Sequence, residues 1–189
     1  MNSSLIFVDV EAHGPCPAMG YMTEFAFVEY GCTSQGPPET ITRNGFHAWV
    51  IHGSDAPASR FPENGIVEVC PAFDFTIRAE KCMGPIEHVM SSAARWLART
   101  VGEGVRPVMV SDNPAFDFMW ICDAFWRTMN TNPFGHSARR IADFAAGLNG
   151  DFRKSQGWKA LRVTKHTHDP VMDVAGNLEA FDRLLKGER

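Results

Sequence analysis

The sequence predicts an α/β fold: a mixed sheet of five strands, the first three antiparallel, flanked by helices. Three observations carry this. Leu5-Ile6-Phe7-Val8-Asp9-Val10-Glu11 is a run of strand length, apolar on both faces up to Asp9, as in a strand at the centre of a sheet covered by helices. Residues 85–101 show an amphipathic helical stripe followed by a short apolar run at 107–111, the pattern of a helical crossover to a parallel strand. Finally, Asn113-Pro114-x-x-Asp117 and Asp169-Pro170-x-x-Asp173 share one helix-start grammar, with a cap, a proline at the first helical position and a carboxylate in the first turn.

Along the first strand, Leu5, Phe7, Asp9 and Glu11 share one face, and Ile6, Val8 and Val10 the other. Asp9 and Glu11 therefore project together from a rigid strand end, where ligands of such sheets gather. A turn-rich loop, Ala12-His13-Gly14-Pro15-Cys16-Pro17, leads to a second strand at residues 24–30, hairpinned back onto the first. The Gly36-Pro37-Pro38 loop ends that strand, and residues 45–51 supply the third. Residues 53–84 mix Pro, Gly and short apolar runs and carry no assignable pattern.

Pro85 opens a helix with Ile86, Val89, Met90, Ala93, Leu97 and Val101 on its apolar stripe and Glu87, Arg95 and Arg99 off it. The fourth strand, 107–111, is expected parallel to the first, with its end beside Asp9 and Glu11. Asn113 caps the next helix, which runs through Trp120, Ile121, Ala124, Phe125 and Met129 until Asn130-Thr131-Asn132-Pro133 stops it. Arg140-Ile141-Ala142-Asp143 is expected as the fifth strand. The last helix buries Val174, Leu178, Phe181 and Leu185, and Gly176 lets it lie close to a neighbour.

The 189 residues, 44% hydrophobic and 21% charged, suit one globular domain over 1–189. No apolar stretch approaches a bilayer span and the N-terminus lacks the regions of a signal peptide, so a cytoplasmic protein without a membrane partner is expected. Five scattered cysteines with no close pair support neither a disulfide framework nor a zinc site. A net charge of −4 argues against bulk attraction to nucleic acid, so a polyanionic substrate would have to be drawn by bound metal and a local patch. Arg139, Arg140, Arg153, Lys154, Lys159, Arg162 and Lys165, against Asp143 and Asp151, read either as such a phosphate-contacting patch or as a solvated polar face.

Asp9, Glu11, Asp117, Asp173 and His168 form the chemical candidate set. Taken singly, Asp117 and Asp173 read as helix-dipole partners and His168 as a capping or core histidine. Together, four carboxylates and a histidine suit two-metal phosphodiester hydrolysis, in which paired ions clamp the attacking and leaving oxygens and a neutral imidazole takes the proton.

Asp9-Val10-Glu11, Asn113-x-x-Phe116-Asp117, and His168 with Asp173 five positions on resemble, in order and spacing, the three motifs of the DEDDh 3′→5′ exonuclease superfamily. The stretch His-Asp-Pro-x-x-Asp-x-x-Gly-Asn-x-Glu from His168 to Glu179 is most similar to the RNase T-like 3′ exoribonuclease branch. The resemblance implies a ribonuclease H-like fold and release of nucleoside 5′-monophosphates from the 3′ ends of single-stranded nucleic acid, RNA preferred. It makes Asp9, Glu11, Asp117 and Asp173 the ligands of two Mg²⁺ or Mn²⁺ ions and His168 the general base, with Glu11 counted among the catalytic groups. Substrate contacts are expected from Ala12, Met22, Asn113, Phe116 and Trp158, with Met22, Phe116 and Trp158 as base-stacking groups. His166 does not fit the spacing and takes no role, and a homodimer is among the assemblies the resemblance allows.

Ala12 stands where many relatives have Thr, leaving only backbone contact there, and Asp112 stands where many have His, adding negative charge. Two other readings stay open: a single-stranded DNA exonuclease of the same fold, and a non-catalytic nucleic-acid-binding module. Nothing in the sequence reads the 2′-hydroxyl that separates RNA from DNA.

Overall fold

The computed structural model describes residues 3–31, 41–52, 65–71 and 75–188. The Gly36-Pro37-Pro38 loop and residues 53–64 and 72–74 lie outside them. In chain order the elements are β1 (Ser3–His13), β2 (Tyr21–Glu29), β3 (Ile41–Val50), β4 (Ile66–Val69), β5 (Phe75–Gly84), α1 (Ile86–Val101), β6 (Arg106–Ser111), α2 (Pro114–Met129), β7 (Arg139–Arg140), α3 (Ile141–Asn149), a 3-10 turn (Gly157–Leu161) and α4 (Pro170–Leu185).

The strands form one mixed sheet in the order β4-β5-β3-β2-β1-β6-β7. β1 is central, antiparallel to β2 and parallel to β6, and β2 is antiparallel to β3. The first three strands are thus antiparallel and the crossover through α1 returns a parallel strand, as the sequence pattern requires. Side-chain alternation divides the core. Ile6, Val8 and Val10 face α1 and α2, against Met90, Trp96, Ile121 and Phe125, whereas Phe7 faces the opposite layer of α3 and α4, against Val174, Leu178 and Phe181. Each half buries a continuous apolar layer, so β1 is held from both sides.

The sheet has seven described strands, not five. β5 was hidden in the stretch without assignable pattern: Phe75, Ile77 and Ala79 face the α4 layer while Arg78 is exposed, and the charged face disguises the strand. β5 runs parallel to β3, and β4 is its antiparallel edge partner. Gly45 of β3 makes room for it, since a Cβ there would stand 2.9 Å from Ile77 Cγ2. The expected strand at Arg140-Ile141-Ala142-Asp143 is also corrected. Only Arg139 and Arg140 pair with Val110 and Ser111, and α3 begins at Ile141. Burial explains the change, because Ile141, Ala142, Ala145 and Ala146 lie on one helical face with a core to fill.

Pro85 proves to be the residue before the helix, and α1 buries Val89, Met90, Ala93, Trp96 and Leu97, close to the expected stripe. Asn113 occupies the cap position of α2, but its side chain makes no capping bond; its carbonyl takes the N–H groups of Phe116 and Asp117 at 2.9 and 3.0 Å. Asp169 caps α4 as expected, accepting from Val171 and Met172 N–H at 3.0 and 3.1 Å. No helix among the described residues is long and apolar enough to cross a membrane.

Candidate active site

The face alternation of β1 places Asp9 and Glu11 on the α4 side at the strand's end. There the β1–β2 register shifts: Glu11 pairs with Glu24 but Ala12 with Met22, so Thr23 is the extra residue of a bulge. Its hydroxyl donates to the Glu11 carbonyl at 3.0 Å, which ties down the main chain at the carboxylate. Asp173, in the first turn of α4, is fully buried. Carboxylate oxygens of Asp9, Glu11 and Asp173 all lie within 4.8 Å of one another. Asp117, buried in the first turn of α2, is not part of this tight group but lies near enough to Asp9 to raise its pKa.

Like charges crowded out of water hold on to protons. Burial pushes the Asp9 carboxyl up to about 9, and the charges of Asp117, Asp173 and Glu11 add to the rise while Arg162 opposes it. Burial also pushes Asp117 up to about 7, against the Ser111 hydroxyl and the main chain at Val10 and Asn113. Glu11 is raised too, chiefly by burial, with the His168 imidazole pulling the other way.

The segment ahead of α4 wraps onto the cluster. Thr167 and His168 N–H donate to the two Asp173 oxygens at 2.9 and 3.0 Å. His168 adopts a left-handed φ of 59°, uncommon for a non-glycine residue, and its Nδ1 lies 3.3 Å from Glu11 Oε1. Its side chain is 74% exposed, so the site is sealed at Asp173 and open at His168. His166, given no role by the sequence, stands with Nδ1 2.8 Å from Asp173 Oδ2.

Asn177 and Glu179 account for the polar tail of the last motif. Glu179 is fully buried and accepts from Val163 N–H, Thr164 N–H and the Thr164 hydroxyl at 2.9, 2.7 and 2.6 Å. The Arg162 guanidinium donates to Asn177 Oδ1. Gly176 allows the approach, since a Cβ there would meet the Thr164 carbonyl at 2.8 Å. The result is that the charge of Arg162 acts on Asp9; no spacing rule reveals this, because it links a loop to a strand through α4.

Two of the expected stacking groups are corrected. Met22 and Trp158 are 3% and 2% exposed and pack in the two cores, so neither offers a ring or chain face to a base. Phe116 is partly buried against the α1–α2 core. Ala12 packs partly on the same core. An exposed aromatic ring on the hairpin beyond Glu11 is Tyr21, which pairs with His13 and lies 5.2 Å from its ring and 4.5 Å from that of His52. The charge of Asp112 is paired, with Lys159 Nζ 2.6 Å from its Oδ2. The basic patch is largely committed as well, with Arg153 on Asp151 and Arg140 near Asp143.

No protein-family model matches the sequence, and no curated protein matches it. In fold the chain is similar to the zinc-ion-bound form of an E. coli ExoI–ssDNA complex, at 15% identity and a TM-score of 0.53, covering 99% of this chain and 41% of that one. A complex of E. coli exonuclease I with a dT13 oligonucleotide aligns at 16% identity and a TM-score of 0.48, over 98% of this chain and 41% of that one. The chain therefore spans about two fifths of the length of these exonuclease I chains. What is shared at this identity is the α/β fold, a mixed sheet with helices.

Proposed function

We propose that residues 1–189 form a metal-dependent 3′→5′ exonuclease domain of the DEDDh type with a ribonuclease H-like fold, acting on single-stranded nucleic acid. The observation that carries this reading is the convergence of Asp9, Glu11 and Asp173 within 4.8 Å, from positions 164 residues apart, with Asp117 alongside. A purely structural role would not gather carboxylates in a place where burial, with repulsion from its neighbours added, drives one of them to about 9. An all-oxygen donor set is what hard divalent cations take, and Mg²⁺ or Mn²⁺ in place of the retained proton would relieve the repulsion.

Asp9, Glu11, Asp117 and Asp173 would hold two such ions. When bound, the pair supplies charge neutralisation on the scissile phosphate and a nucleophile at neutral pH. The neutral imidazole of His168, open to solvent at the mouth, accepts the proton of the attacking water. Glu11, 3.3 Å from its Nδ1, stabilises the imidazolium that results. Asp173 fixes the backbone at residues 167 and 168 and so aims that ring. Tyr21, exposed on the hairpin just beyond Glu11, is the aromatic group placed to stack on a terminal base.

RNA as the preferred substrate rests on the resemblance of the motif from His168 to Glu179. A specific observation favours DNA equally: the fold neighbour is a complex with single-stranded DNA. The deciding experiment incubates the purified protein with 5′-labelled RNA and DNA oligonucleotides of one sequence, with Mn²⁺ or EDTA. A descending ladder only in Mn²⁺ is expected. Labelled mononucleotide at the earliest times would overturn the polarity, faster loss of DNA would overturn the RNA preference, and binding without any ladder would establish the non-catalytic module.

A further inference from the structure

The hard-ion cluster does not use His166, and its position calls for a chemistry of its own. His166 and His168 flank one residue, yet their rings lie 4.4 Å apart, centroid to centroid. His166 Nδ1 is 2.8 Å from Asp173 Oδ2, and single ligand atoms of His166, His168 and Asp173 all fall within 4.8 Å of one another. The left-handed turn at His168 and the two backbone N–H bonds to Asp173 hold the pair of imidazoles over that carboxylate. Both rings are open to solvent, 49% and 74% exposed by side chain, so an ion can reach them.

Two imidazole nitrogens and one carboxylate oxygen make a borderline-soft donor set, unlike the all-oxygen group of Asp9, Glu11 and Asp173 that shares its last member. Such a set with one open position is a common zinc arrangement. Tetrahedral ligands at about 2.0 to 2.2 Å from zinc stand about 3.3 to 3.5 Å apart. From separations of 4.8 Å or less the needed contraction is at most about 1.5 Å, and the His166–Asp173 pair at 2.8 Å has to open slightly; both are within reach of two exposed rings turning about their own torsions.

We infer that His166, His168 and Asp173 form a second metal site, for a zinc-class transition ion, beside the Mg²⁺ or Mn²⁺ centre. Its occupation engages the lone pair of His168 and so removes the base. The site stands on geometry alone; the inhibition rests on the exonuclease reading above. Zinc in small excess therefore switches the enzyme off, whereas Mg²⁺, which takes oxygen ligands, shares only Asp173 with this site and leaves both imidazoles free.

The test titrates the EDTA-stripped, dialysed 189-residue chain with Zn²⁺ by calorimetry and with Co²⁺ by visible absorption. His166→Asn keeps a donor for Asp173 while removing the imidazole. The expected result is one zinc-class ion with the intense absorption of four-coordinate cobalt in the wild type, and at least about tenfold weaker binding in His166→Asn. In Mn²⁺-driven nuclease assays, zinc should inhibit the variant at a concentration at least about tenfold higher than the wild type. Equal zinc affinity in the two proteins, in an enzyme that is active with Mn²⁺, overturns this inference and leaves the exonuclease reading standing. Zinc bound through His166 in a protein inactive on every oligonucleotide does the reverse.

Discussion

Thr164 gives both its backbone N–H and its hydroxyl to the buried carboxylate of Glu179, at 2.7 and 2.6 Å. This pair of bonds, with the one from Val163, fastens onto α4 the segment from which the charge of Arg162 acts on Asp9. A fully buried acceptor of three donors is costly to delete, because the donors stay behind without water.

Glu179→Ala is expected to lower unfolding stability by about 3 kcal/mol, read from the urea midpoint, and Glu179→Gln by less, since an amide oxygen still serves the two N–H groups. Activity should fall in step as Arg162 is freed. An unchanged midpoint in Glu179→Ala would remove this anchoring role.

The raised carboxyls give stability a pH dependence of definite sign. Folded, Asp9 holds its proton up to about 9; unfolded, it loses it near the ordinary 3.8. Between those values the folded state binds the extra proton, so this contribution is present at low pH and lost as pH rises through about 9. Asp117 acts with the same sign up to about 7. In EDTA, Tm should decline more steeply from about pH 5 to about pH 8.5 in the wild type than in Asp9→Asn. Excess Mn²⁺ should raise the wild-type Tm most at the alkaline end, where the retained proton is displaced most easily.

His168→Ala should slow turnover by about 10² to 10⁴-fold with Mn²⁺ affinity nearly intact, as for a base that is not a ligand of the hard ions. Asp173→Asn should lose Mn²⁺ affinity as well. Parallel calorimetry and single-turnover kinetics separate the two, and normal turnover in His168→Ala would reassign the base.

Tyr21→Ala should raise KM about tenfold, the cost of one stacked base, with kcat little changed. Trp158→Phe should leave KM where it is, because the indole is enclosed. The reverse result would return base stacking to Trp158.

How far these features could be read from the chain depends on the range of the contact that makes them. β1 was legible because its stretch from Leu5 to Val8 is apolar at every position before the carboxylates begin at Asp9. The starts of α2 and α4 were legible because cap, proline and carboxylate lie within five residues. β5 was not, since Arg78 and Glu80 mark a solvent-facing side that pattern alone cannot tell from a loop. Met22 and Trp158 were misread because an apolar side chain carries no mark that separates a core from a cleft wall. His166 was invisible because its approach to Asp173 depends on the left-handed backbone at His168. The tight Asp9-Glu11-Asp173 grouping follows the motif spacing; the roles of its members await the variants above.

The sheet ends at one border in β4, four residues long, and at the other in β7, two residues long. Unpaired strand borders are where separate chains add to one another, and little backbone is offered at either side of this one. Growth by sheet continuation, whether into a shared dimer sheet or an aggregate, is thereby discouraged among the described residues.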